Sequence, residues 1–422
     1  METTVFPGIR KPEEILAELE RRRKDRVDAV IESGKIKFQS VGSELQLLVH
    51  GSHNQGGLCP LTNHALSQLF ELIGLPQRTR LFQWLMRNSR EFTNREGNAA
   101  DTNHGLLCGL LNEFFSRMKF DRLVRRMKKA DGSMYCRALL SNRYRIVDSH
   151  DLFFAILEEL SKVKVGGKTP EIWNARLSED HFYGYAVAPG LTGQVDTTRT
   201  FKGTRGQDNR WQGLPGDTYN GAIVFGNSET GAGGIFIRQA VVRTVTHSYL
   251  VDQDLVAERH VGGKMEADAD LSAETIAAWN KAFFSEVQDH VRNAFDPEKF
   301  QIVLDRLNGA ARDNVEDGVI ATEALQVCYD LSEAAKAQIR NVFFRSGDLT
   351  RYGLVTALSE AAAADVGAEE AVAMEQAGSE LAQLDMAEVY KRAASVRAQK
   401  GSELKMPAAK KVSRKRLLEP VG

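Results

Sequence analysis

From residue 12 to residue 33, apolar side chains recur at helical spacing. Ile15, Leu16, Leu19, Val27, Val30 and Ile31 surround a basic centre, RRRKDR, with Pro12 opening the run and Gly34 closing it. This pattern predicts one exposed amphipathic helix. The period then shortens to two in KIKFQSVGSELQLLVHG, enough for two short strands. Thr62 is suited to cap a helix over NHALSQLFELIG, whose Leu66, Leu69, Phe70 and Ile73 share a face before Gly74 and Pro76 end it. A second helix is expected from Arg80 to Asn88. A third is expected from Asn103 to Lys129, apolar at its start and basic at its end.

Asp131-Gly132 signals a turn, SMYCRALL a strand and SNRYR another turn, with Asp148 or Ser149 capping the helix DLFFAILEEL. From 172 to 251, glycines and alternating residues predict a sheet. After Leu271 helical spacing returns in SAETIAAWNKAFFSEVQDHVRNAF, ATEALQVCYDL and SEAAKAQIRNVFFR, each with a capping residue at its start. Helices, then strands, then helices, without regular alternation, predict an α+β fold: an antiparallel sheet core from the middle of the chain, flanked by helices. The expected divisions are an N-terminal helix over 1–36, a core domain over 37–270, a helical region over 271–395 and a flexible basic tail over 396–422.

Composition adds bounds. The chain has 422 residues, 42% hydrophobic and 26% charged, and a formal net charge of -1. That is enough for a core without disulfide or metal, and too little net charge to steer a polyanion by itself. No apolar run reaches the roughly 20 residues of a membrane span, and METTVFPGIRKPEE lacks the order of a secretory signal, so an intracellular protein without membrane contact is expected. Cys59, Cys108, Cys136 and Cys328 form no C-x-x-C pair, which predicts buried thiols.

The glycine-rich stretch FGNSETGAGGIFIRQAVVR, Phe225 to Arg243, tests poorly as a phosphate loop. Phe236 stands where a third glycine belongs, and a strand follows where a helix is needed. Gly167-Lys168-Thr169 and Gly262-Gly263-Lys264 imitate the end of a Walker loop, but Lys162 and Glu258 occupy the first glycine position. A turn between two strands remains, with Arg238 and Arg243 of opposite parity and so on opposite faces. His50, His53 and His64 around Cys59 match no zinc spacing, and His247, Ser248 and Asp252 are too common a trio to mark a triad. Glu158-Glu159 and Glu369-Glu370 read as solvated helix faces. Neither a metal nor another cofactor is expected, and no enzyme is predicted.

Local charge is more informative. Ten Lys or Arg residues between Arg117 and Arg145 face only Asp121 and Asp131. Such a cluster suits phosphates, with Tyr135 and Tyr144 as stacking planes for unpaired bases. The alternative is a helix C-terminus whose cations complement its dipole, followed by an exposed turn. Arg125, Arg126, Lys128 and Lys129 are the candidate phosphate contacts, Arg137, Arg143 and Arg145 the candidate groove lining, Tyr144 a base platform, and Arg238 and Arg243 further contacts from the neighbouring strand. The C-terminal run KKVSRKR would add non-specific affinity or act as a localisation signal.

PLTNHALSQLFELIGLP, RALLSNRYRIVDSHDLFFAI, IVFGNSETGAGGIFIRQAVVR and DLTRYGLVTALSEAA, in this order within a span from Phe38 to Ala393, resemble a phage- and plasmid-borne family catalogued as a domain of unknown function. Tyr352 and Thr356 stand where that family has Trp and Asn, and Thr246, His247 and Ser248 where it often has a cysteine and an asparagine. The resemblance implies a protein of a phage or mobile element in the cytoplasm of a bacterial host. By analogy of layout with single-strand annealing proteins, it implies binding of single-stranded DNA or RNA by a homo-oligomer, in DNA recombination. The rival expectation is a structural or host-interaction protein that binds no nucleic acid.

Overall fold

A computed structural model describes residues 12–41, 44–49, 57–74, 104–118, 120–197, 217–258, 273–364 and 366–404. The fold is α+β, with eleven helices and three antiparallel sheets among these residues.

The N-terminal unit begins with α1 (Pro12–Asp25) and β1 (Arg26–Glu32), followed by β2 (Ile36–Val41), β3 (Glu44–Val49) and β4 (Gly57–Pro60). Helix α2 (Asn63–Leu72) starts at Thr62, whose hydroxyl accepts from the Ala65 N–H at 3.1 Å, and ends before Gly74 at a φ of 72°. Then come α3 (His104–Arg117), β5 (Asp121–Lys128) and β6 (Met134–Ser141). One sheet has the order β1-β5-β6 and another β2-β3-β4; the Thr62 N–H donating to the Cys136 carbonyl at 3.0 Å joins them. Ile36, Phe38, Leu47, Phe70, Leu111 and Phe115 are among the buried residues of this unit's core.

Two expected helices are shorter than their periodicity suggests. The helix from 12 stops at Asp25, because RVDAVIE alternates well enough to pair with β5, Ala29 opposite Val124. The helix from 103 stops at Arg117, and DRLVRRMK becomes the middle strand β5, buried from Leu123 to Met127. Helical and strand periods coincide over such short runs, and a strand with neighbours on both sides satisfies every backbone group. The expected helix at 80–88, the residues His50 and His53, and Gly262 to Lys264 lie outside the described residues.

After α4 (Ser149–Lys162), five strands build the large sheet in the order β11-β10-β9-β8-β7: β7 (Glu171–Leu177), β8 (Phe182–Val195), β9 (Asp217–Asn227), β10 (Ile235–Arg243) and β11 (Ser248–Glu258). Ala186, Ile223, Phe225, Ile237 and Val241 join the main core with residues of α4, α5 (Ala273–Asn293) and α6 (Pro297–Ala310). Tyr185, Val224, Val242 and Tyr249 cluster instead with Val372 of α10 (Ala368–Gln383). Helices α7 (Gly318–Tyr329), α8 (Glu333–Ser346), α9 (Arg351–Ala362) and α11 (Met386–Leu404) complete the helical region. Residues 396–404, expected in the tail, continue α11; the rest of the tail lies outside the described residues.

The Walker-like glycines are turn residues. Gly166 and Gly167, at φ of 54° and 78°, sit between Val165 and Lys168, which exchange both backbone hydrogen bonds. Gly190 sits close against that hairpin, where a Cβ would come within 1.8 Å of the Val165 carbonyl oxygen. All four cysteines are free thiols; Cys59, Cys108 and Cys136 are buried.

Candidate nucleic-acid interface

The candidate cations divide into a buried set and an exposed set. Arg125 is 1% exposed in β5. Its Nε lies 3.2 Å from each carboxylate oxygen of Asp28, its register partner in β1, and its Nη1 donates to the Glu229 carbonyl. Arg126, next along the strand, is also buried and lies beside the Cys59 thiol, whose pKa burial pushes up. In β6, Arg137 is 3% exposed; its Nε donates to Glu179 at 2.7 Å and its Nη1 to Glu229 at 3.1 Å. Glu229 accepts a third bond from the Ser149 N–H at the start of α4, 2.8 Å away. Burial by itself would raise the Glu229 pKa, but Arg137, then Arg125 and the Ser149 N–H outweigh it and hold the carboxyl at about 2. Asp148, paired with Arg26, shifts upward because its burial outweighs that pair.

The segment Asn227-Ser228-Glu229-Thr230-Gly231 is thus the plug of a joint between the N-terminal unit and the large sheet. Its carbonyls accept from Tyr144 (to Ser228, 2.9 Å) and Gln68 (to Thr230, 2.8 Å). His64 Nε2 also lies 3.0 Å from the Thr230 carbonyl, while the Asn227 amide donates to Val147 at 2.7 Å. His64 therefore serves this joint, and no group of three or more metal-ligating side chains occurs among the described residues.

The remaining cations of the large sheet are also engaged. Arg243 is bound through Nη2 to both oxygens of Asp217, at 2.9 and 2.7 Å, and through Nη1 to Glu360 of α9. Asp217 accepts in addition from the Tyr352 hydroxyl at 2.5 Å, and the Tyr219 and Tyr352 hydroxyls meet at 2.9 Å. Arg238 lies over the Phe236 ring, 4.2 Å from its centroid, with its guanidinium against the Gln376 side-chain amide. Arg238 and Arg243 do leave opposite faces of β10, as their parity requires. Arg145 stacks on Phe283, 4.9 Å from the ring centroid.

The single groove expected from the sequence is therefore corrected. Arg125, Arg126, Arg137 and Arg243 are buried or ion-paired within the fold, and Tyr144 directs its hydroxyl into the joint instead of stacking on a base. Lys128, Lys129 and Arg143 are exposed. Arg143 follows the far end of β6, about 23 Å from the β5–β6 hairpin at roughly 3.3 Å per residue. It cannot share a compact site with the two lysines. Glu159, expected on a solvated face, is buried and bound by Arg292 at 2.8 Å.

One convergence was missed. Arg26 is the register partner of Met127, so the basic end of α1 and the end of β5 leave the sheet together. Lys24, Lys128 and Lys129 are all exposed at this corner. The Lys129 ammonium is 5.8 Å from the Tyr135 ring centroid, and Arg22 and Arg21 of α1 act electrostatically on the Tyr135 hydroxyl. The signal was present in RRRKDR and RRMKK, but only the strand pairing brings the two runs together. Comparison of the chain with known protein families, with curated proteins and with solved structures finds no match.

Proposed function

We propose that this chain binds single-stranded nucleic acid, without catalysing a reaction on it, at the corner formed by the end of α1 and the β5–β6 hairpin. The supporting observation is the meeting there of Lys24, Lys128 and Lys129 beside the half-buried ring of Tyr135. Three cations on two short elements are a small footprint, suited to a backbone and not to base readout. From the resemblance of its motifs to a phage- and plasmid-borne family we further propose that it acts in DNA recombination in the cytoplasm of a bacterial host.

The test is fluorescence anisotropy with labelled single-stranded DNA and RNA across a salt series. The triple variant Lys24→Glu/Lys128→Glu/Lys129→Glu should bind more weakly, with a log-log salt slope shallower by about 2, since each phosphate contact on a single strand contributes about 0.7. No binding by the native chain at about 50 mM salt, or an unchanged slope in the variant, removes the proposal.

A second reading, a structural or host-interaction role without nucleic acid, is favoured by one surface. Val319 and Ile320 at the start of α7, Phe344 near the end of α8 and Leu349 are all exposed. They lie at one end of the helical region, where the Val315 N–H donates to the Leu349 carbonyl at 2.8 Å and Gly318 packs against the Phe344 ring. Retention of a labelled oligonucleotide by neither the native chain nor the triple variant would select this reading.

A further inference from the structure

We infer that strand β1 is a self-pairing edge, through which a second copy of this chain adds to the β1-β5-β6 sheet. Among the described residues β1 is hydrogen-bonded on one side only, to β5. Its other side offers a row of backbone donors and acceptors, the template for strand addition. Val30, on this strand, is 58% exposed, and Phe120, at the same end of the sheet, is 68% exposed.

The sequence of β1, RVDAVIE, selects one register. In a two-fold antiparallel pair with its axis perpendicular to the sheet, opposed residues must share a face, so only positions of equal parity can be partners. A centre at Asp28 would oppose Asp28 to itself, and a centre at Val30 would oppose Asp28 to Glu32; both place like charges together. A centre at Ala29 opposes Arg26 to Glu32, Val27 to Ile31 and Asp28 to Val30. It sets Glu32 of each copy opposite the other copy's Arg26, a guanidinium that also holds Asp28 and Asp148 of its own chain, and brings the two Val30 side chains within diagonal reach. A centre at Val27 would also oppose Arg26 to Asp28, but it pairs only three residues of the strand; the Ala29 centre alone pairs all seven without opposing like charges, and the occupant it fits is this same strand. The joined sheet would have six strands. This inference does not rest on nucleic-acid binding.

Light scattering coupled to size exclusion, together with an engineered cross-link, tests it. The native chain should elute at about twice its 46.8 kDa mass. Val30→Lys and Glu32→Arg, the latter placing Arg opposite Arg26, should each weaken the dimer at least tenfold while near-ultraviolet circular dichroism stays native. Both residues are exposed, so the fold tolerates the changes. Ala29→Cys should give a disulfide-linked dimer on mild oxidation that the native chain does not give, because directly opposed Cα atoms in an antiparallel pair lie about 4.5–5.5 Å apart, within disulfide range. A monomeric native chain, or a dimer that survives both substitutions while Ala29→Cys fails to cross-link, overturns the inference.

Discussion

Arg137 and Glu229, 92 positions apart in the sequence, meet at 3.1 Å in the interior, one from the middle of β6 and the other from the turn before β10. The pair ties the N-terminal unit to the large sheet and is completed by Glu179, Arg125 and the Ser149 N–H. Such a network is costly to break at one member, because the guanidinium left behind stays buried with less opposing charge.

Glu229→Gln should accordingly destabilise the chain by about 3–5 kcal/mol. Urea unfolding followed by circular dichroism checks this. A loss below about 1 kcal/mol, the range of exposed ion pairs, would show that the joint is solvated.

The same carboxyl makes stability depend on pH. With a folded-state pKa of about 2 against an ordinary 4.5, Glu229 contributes stability that is fully present above pH 4.5 and is lost as pH falls from there towards 2. Asp148 opposes this: its pKa is raised, so its charged form costs stability at neutral pH and acid relieves that cost. Urea midpoints measured from pH 7 down to pH 3 should fall below pH 4.5 in the native chain. They should fall less in Glu229→Gln.

Tyr352→Phe removes the hydroxyl that joins Tyr219 to Asp217 under Arg243. Deleting it leaves a buried tyrosine hydroxyl with one partner fewer and should cost about 1–3 kcal/mol. Thermal unfolding measures it, and an unchanged midpoint would exclude a structural role for this contact.

Gly190→Ala should be more damaging than its size suggests. The added methyl would come within 1.8 Å of the Val165 carbonyl oxygen, a backbone atom that moves only with its hairpin. Unfolding free energy should drop by about 1–3 kcal/mol, as for overpacked sites. Gly167→Ala is a useful contrast: nothing lies within 4 Å of its Cβ position, and only its φ of 78° carries a penalty, about 1–2 kcal/mol.

What the sequence determined by itself was everything carried by local periodicity and capping chemistry: the α+β class, the Thr62 cap, the two short strands β2 and β3, and the strand-rich middle. Those features depend on residues within a few positions of one another. The tertiary structure decided the rest, because the state of a charge depends on what faces it across the fold. DRLVRRMK has one period as a helix and nearly the same fit as a strand, and its position between β1 and β6 settled the matter, turning two expected surface arginines inward. Asp28, Glu179 and Glu229 became their partners, or those of Arg137, only through contacts spanning 42 to 104 residues. Lys24, Lys128 and Lys129, by contrast, stayed in water, and strand register alone brought them to one corner.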